Sequence, residues 1–90
     1  MAKKRERLEV VYDILYTVRD HNNSIKPTRL QQKSNLSPQM FKEYTEELLE
    51  KRFLVSEEKE GHKTYVLTNK GYEFLSKYKQ AMELIENFGL

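Results

Sequence analysis

Ser37, Gln39, Lys42 and Glu43 place four kinds of polar chemistry on the first turns of one candidate helix. A glutamine amide can pair with adenine through two hydrogen bonds, a lysine can reach guanine, and a carboxylate can accept from cytosine. Ser37-Pro38 reads as an N-cap followed by a first helical residue, because the N–H that proline lacks would be unpaired there anyway. The free N–H groups behind Ser37 form the positive end of a helix, which suits a phosphate. Arg29 and Lys33 lie one turn apart on the preceding stretch, placed to flank the same anion.

The distribution of charge supports that chemistry. The chain holds 14 acidic residues among 90 and has a net charge of +2, yet none of those acids lies between His21 and Lys42. Lys26, Arg29, Lys33 and Lys42 make that window purely basic, as expected of a surface that meets an anion. Glu43, Glu46, Glu47 and Glu50 follow at once and repel phosphate. The N-terminal end of this helix should therefore enter a groove, with its acidic end turned away or against Lys51 and Arg52. Lys3, Lys4 and Arg5 read as a basic arm that adds nonspecific phosphate contacts. Lys59, His62 and Lys63 sit among Glu57, Glu58 and Glu60 and read as solvated residues. His21 and His62 have no ligand-spaced partner in the sequence, so both are expected at the surface and not on a metal.

Several function classes drop out. The chain has no cysteine, which removes disulfides, thiol catalysis and thiolate metal sites, and fits a reducing compartment. It contains no glycine-rich phosphate loop and no nucleophile elbow, so neither catalysis nor a cofactor is expected. No apolar run is long enough to span a bilayer. The expected location is the cytoplasm, on the nucleoid, or a host cytoplasm if the chain is viral.

The elements that position these residues can be read from periodicity. Over residues 4–20, Leu8, Val11, Leu15 and Val18 recur at helical spacing, widened by Val10, Ile14, Tyr12 and Tyr16. His21-Asn22-Asn23-Ser24 breaks the pattern. Pro27-Thr28 opens a short helix over 28–34, with Thr28 as a fair cap and Leu30 as its anchor. The next helix runs over 38–51 with Phe41, Tyr44, Thr45 and Leu48 inward, and the three residues between the two contain an inward Leu36. That is a helix-turn-helix arrangement. Phe53–Val55 and Tyr65–Leu67 read as short strands of a hairpin turning at Gly61, and Thr68 caps a last helix from Asn69 to Asn87.

The last helix is longer than a domain this small requires, about 28 Å at 1.5 Å per residue. Leu75, Tyr78, Met82 and Ile85 follow the spacing of a coiled-coil seam, with Tyr72 and Phe74 left to pack on the domain core. Lys79 and Glu86 both flank that seam. An antiparallel twin helix brings Lys79 against Glu86 of the second copy and places the two-fold axis near Met82. The expected assembly is a homodimer built on an antiparallel coiled coil.

Three stretches together resemble archaeal winged-helix proteins, a group of predicted transcriptional regulators that includes a small dimeric chromatin protein. They are Leu8-Glu9-Val10-Val11-Tyr12-Asp13-Ile14-Leu15, Lys26-Pro27-Thr28-Arg29-Leu30 with Asn35-Leu36-Ser37, and Leu67-Thr68-Asn69-Lys70-Gly71-Tyr72-Glu73-Phe74-Leu75. The resemblance implies a mostly α fold with a small β-hairpin, in one domain over 1–90. Residues 5–68 would be a winged helix-turn-helix, and 69–88 a C-terminal dimerisation helix. It also implies double-stranded DNA as the partner; the net charge of only +2 and the acidic hairpin tip keep open the alternative of a winged-helix protein-interaction module that binds no DNA. Two departures stand out. Arg52 replaces the usual glycine after the third helix, at a steric cost if the left-handed conformation is needed. The acidic hairpin tip puts insertion of the wing into DNA in doubt.

Overall fold

The computed structural model describes the backbone of residues 2–90 and the side chains from Arg7 onward. Lys3, Lys4 and Arg5 of the expected basic arm therefore lie outside the described side chains. The order of elements is α1 (Ala2–Asp20), α2 (Pro27–Ser34), α3 (Pro38–Glu50), β1 (Leu54–Lys59), β2 (His62–Leu67) and α4 (Asn69–Asn87). No described helix is long and apolar enough to cross a membrane.

One core is built from all of these elements. Val11, Ile14, Leu15 and Val18 of α1 meet Leu30, Phe41, Leu48, Leu54, Leu67 and Leu75, with Ile25 and Tyr65 closing one side. Leu8, expected in the α1 stripe, is 43% exposed, and Ile14 is buried in its place at the centre of that face. Thr45 is buried among apolar residues because its hydroxyl donates back to the Phe41 carbonyl at 2.9 Å.

The turn after α1 does more than break the helix. Asn22 and Asn23 both take left-handed φ values, which asparagine tolerates better than most residues. The Asn23 side-chain oxygen accepts from the Leu67 N–H at 2.7 Å, and Ile25 forms an antiparallel bridge with Tyr65. The hairpin thus gains a third, one-residue strand that the sequence did not announce. Its own strands are longer than expected, with Lys59 directly opposite His62. Glu60 and Gly61 both have positive φ, the requirement of the two-residue turn whose twist matches the strands. The outer half of the wing is exposed throughout, so no apolar alternation marked it.

Helix ends follow local chemistry. Lys26 and not Thr28 occupies the N-cap of α2, with no side-chain cap bond, because Pro27 takes the first helical position. Ser37 caps α3 as expected, accepting from the Met40 N–H at 3.2 Å. At the end of α3, Arg52 takes the left-handed conformation at φ 67°. The Phe53 N–H donates to the Leu48 carbonyl at 2.9 Å and the Arg52 N–H to Leu49 at 3.1 Å, the paired bonds of a Schellman ending. The backbone makes the turn that glycine would make, and arginine bears its cost.

The start of α4 is fastened to that same ending. Lys70 donates to the Lys51 carbonyl at 2.8 Å, and the Thr68 hydroxyl donates to the Arg52 carbonyl at 2.6 Å. The Thr68 N–H donates to the Phe53 carbonyl at 3.2 Å. Gly71 is buried here, and a Cβ on it would stand 2.5 Å from the Phe53 carbonyl oxygen. The Leu-Thr-x-Lys-Gly run is therefore a joint between two helices.

Two substitutions test this joint with opposite signs. Arg52→Gly removes a left-handed strain of about 1–2 kcal/mol against a glycine entropy cost of about 0.5–1 kcal/mol, so urea denaturation should show a gain of up to about 1.5 kcal/mol. Gly71→Ala, normally favourable inside a helix, should destabilise by about 1–3 kcal/mol because backbone must move to admit the methyl group.

Candidate nucleic-acid interface

The residues proposed to meet an anion are presented by α2 and α3. Arg29 and Lys33 are exposed on α2, and Ser37, Gln39 and Lys42 are exposed at the start of α3. Gln39 is not free of its neighbours: its amide donates to the Glu43 carboxylate at 3.0 Å, one turn on. That bond holds donor and acceptor side by side on the outer face, and a base edge would have to compete with it.

The acidic end of α3 is partly neutralised from within the chain. Glu47 accepts from Lys51 at 2.7 Å and pairs with Arg7, which reaches across from α1 and also lies over the Tyr44 ring. The expectation that Lys51 and Arg52 would both serve is half corrected. Among the described residues Arg52 forms no ion pair, and Arg7 of the N-terminal basic run supplies the second cation. The Lys51 and Arg7 hydrogen bonds hold the Glu47 carboxyl below its ordinary value of 4.5. Glu43, Glu46 and Glu50 stay exposed on the outer face.

A groove of about 550 Å³ opens between the α1–α2 turn, the start of α2 and the wing. Arg29 lies in its wall together with Lys26, Lys59, His21 and His62. Gln39 and Lys42 are not among its lining residues. Lys33 lines an adjoining hollow with Tyr16, Thr17, Asp20 and His21. Sequence reasoning missed this gathering. Lys26 and His21 lay in the acid-free window, but the approach of Lys59 and His62 depends on the two-residue turn at Glu60-Gly61.

The last helix divides its apolar residues between two duties. Leu75, expected as the first seam position, is 3% exposed and belongs to the core of its own chain, so it has no surface to offer a second copy. Tyr72, expected inward, is instead exposed, because Leu75 and Phe74 take the inner face. Tyr78 stacks on Tyr12 of α1 with ring centres 4.6 Å apart. Met82 and Ile85 are half-buried, Lys79 and Glu86 are exposed, and Leu84 and Phe88 stand at 58% and 72% exposed.

The Arg7–Glu47–Lys51 cluster gives a pH signature. A carboxyl with a lowered folded-state pKa contributes stability above its unfolded value of about 4.5, and that contribution is lost as pH falls through the folded value. Glu47→Gln should therefore lower stability at pH 7, by less than about 1 kcal/mol for so exposed a cluster. The difference from wild type should shrink as pH drops below 4.5 in parallel thermal melts.

Comparison with known proteins agrees with this geometry. A family profile described as winged helix-turn-helix matches residues 4–86. No curated protein sequence gives a significant match. Among solved structures, the chain is similar to Sso10a-2, a DNA-binding protein from Sulfolobus solfataricus. The TM-score is 0.71 at 21% identity, over 90% of this chain and 82% of that one. It is also similar to F93 from STIV, described as a winged-helix DNA-binding protein, at a TM-score of 0.71 and 19% identity over 80% and 85%. A MarR family transcriptional regulator from Silicibacter pomeroyi DSS gives 0.76 at 17% identity, covering 96% of this chain and 63% of that one. With the helix-turn-helix, the wing and the profile in agreement over most of its length, the chain belongs to the winged helix-turn-helix family.

Proposed function

We propose that this chain binds double-stranded DNA as a homodimer, as a transcriptional regulator or an architectural chromatin protein. The observation that carries the proposal is the acid-free stretch from His21 to Lys42, across α2 and the first turns of α3, whose Lys26, Arg29, Lys33 and Lys42 are all exposed. The N-terminal end of α3 enters the major groove, where Gln39 and Lys42 face base edges and Ser37 with its neighbouring N–H groups holds a phosphate. Arg29 and Lys33 grip the flanking backbone, and Lys3, Lys4 and Arg5 add sequence-independent contacts. The descriptions of Sso10a-2 and F93 as DNA-binding proteins support the same reading.

The dimer rests on the free end of α4. Met82 and Ile85 are only half-buried by their own chain, and Phe88 beside them is 72% exposed, an apolar stripe that a second helix can cover. An antiparallel copy covers Met82 and Ile85, sets Tyr78 beside the partner's seam, and pairs Lys79 with the second copy's Glu86. Two DNA-binding units joined in this way gain avidity.

Mobility shifts on duplex DNA at two salt concentrations test the first claim. Binding should weaken steeply with salt, whereas a protein-interaction module gives no shift even at low salt. Arg29→Ala should lose affinity on all sequences and reduce the salt slope by about one, while Lys42→Ala should alter sequence preference by roughly 1–3 kcal/mol, both without a change in melting temperature. Unchanged affinity in both variants refutes this placement of the site. Sedimentation tests the second claim. Wild type should be dimeric at tens of micromolar, and Met82→Lys should shift it to monomer and weaken DNA binding by about tenfold or more.

A further inference from the structure

The two histidines of this chain, 41 positions apart in sequence, line one groove. We infer that this groove seats a backbone phosphate of duplex DNA, and that its two imidazoles make the grip on DNA depend on pH. The inference rests on the DNA-binding reading above and adds to it a second contact area and a regulated affinity.

The wall chemistry selects an anion. Lys26, Arg29 and Lys59 bring three permanent positive charges against one carboxylate, Glu60. Among the described residues the ion pairs join Arg7 and Lys51 to Glu47, so the groove's three cations have no carboxylate within pairing distance. No group of three metal-ligating side chains exists among the described residues, which turns the histidine pair away from a metal site. The adjoining hollow adds Lys33 beside the single carboxylate of Asp20, so the two hollows together hold four cations against two acids. Successive phosphates of a nucleic-acid backbone match such a pair of hollows better than one small anion does.

The register of the wing decides how its acids are disposed. Lys59 and His62 are directly opposed across the hairpin and so share a face, and both line the groove. Glu58 and Lys63 form the next pair and point to the other face. Glu57 lies on the groove-side face opposite Thr64 but is not among the lining residues. The acidic wing of the sequence is thus two-sided, with a basic pair turned toward α2.

Both rings are surrounded by groups that a phosphate would join. His21 faces Lys26 and Arg29 of α2 and Lys59, Glu60 and His62 of the wing. On its other side lie Tyr16 and Asp20 of α1 and Lys33 of α2. His62 faces Lys59 across the strands, Glu60 at the turn, and Lys26, Arg29 and His21 across the groove. Imidazoles change charge between about pH 5 and 8. A phosphate favours the charged form, so proton uptake accompanies binding. A contact that raises an imidazole's proton affinity about tenfold makes binding about fourfold tighter at pH 6.0 than at pH 7.5, and two such contacts give about 20-fold.

Fluorescence anisotropy of a labelled DNA duplex, at constant ionic strength and at pH 6.0 and 7.5, tests this with wild type, His21→Gln, His62→Gln and the double variant. Wild type should bind about 20-fold tighter at pH 6.0, each single variant about fourfold tighter, and the double variant equally at both. The wild-type salt slope should steepen at pH 6.0 by up to about two, since each phosphate neutralised adds about 0.9, and the double variant's should not. Should the double variant fail to fold, by circular dichroism, the two single variants and the wild-type slope still decide. Wild-type binding that is equal at both pH values, or variants that keep the full pH dependence, overturns the inference and leaves DNA binding intact. Absence of binding at both pH values overturns the inference and the DNA-binding reading together.

Discussion

Three consecutive backbone carbonyls, those of Lys51, Arg52 and Phe53, hold the molecule's two working parts together. Each accepts from the first turn of α4 or the residue before it: from the Lys70 ammonium, the Thr68 hydroxyl and the Thr68 N–H. The bonds to Lys51 and Arg52 are exposed and that to Phe53 is half-buried, so each adds about 0.5–1.5 kcal/mol and together they fix the direction in which α4 leaves. The joint also requires a glycine at position 71, where the Phe53 carbonyl would meet any side chain. The helix that carries the candidate recognition residues ends here, and the helix with the free apolar end begins here. Their relative direction is set by hydrogen bonds, with hydrophobic burial of Leu48, Leu54, Leu67 and Leu75 behind them.

The left-handed turn at Arg52 belongs to the same constraint. A Schellman ending is the shortest way to bring the chain from α3 into β1 with its last carbonyls satisfied. That geometry persists with arginine in place of glycine, which means the surrounding bonds outweigh about 1–2 kcal/mol of strain. Electrostatics is arranged around this frame. Arg7 from α1 and Lys51 from the α3 ending converge on Glu47, so one of the four clustered carboxylates is already spent inside the chain. The basic residues of α2 have no such internal partner among the described residues and remain exposed.

Much of the fold was legible because local signals and burial agreed. Ser37-Pro38 and Thr68 are caps whose partners lie three residues on, so sequence alone could place them. Phe41, Thr45 and Leu48 face inward at the spacing that announced them. What escaped depended on contacts remote in sequence. Ile25 pairs with Tyr65, and Asn23 with Leu67 across 44 positions, neither of which has a periodic signature. Thr28 yielded the cap of α2 because proline's fixed φ claims the first helical position for Pro27. Leu75 satisfied both a seam pattern and a core pattern, and its own domain is nearer than any partner. At the candidate interface, Arg29, Lys33 and Lys42 were legible from charge alone. The groove was not, because Lys59 and His62 reach it through a turn in which Glu60 as well as Gly61 adopts positive φ.

We propose that the basic residues from the α1–α2 turn through α2 to the first turns of α3 are where this protein meets DNA. Backbone and side-chain NMR shifts of the full chain, recorded on titration with duplex DNA at low salt, test that claim most directly. Shifts should concentrate in residues 21–42, with Lys59 and His62 on the wing, and fade when salt is raised. Shifts confined to Glu46–Glu50 or to α4, or no shifts at low salt, would contradict it.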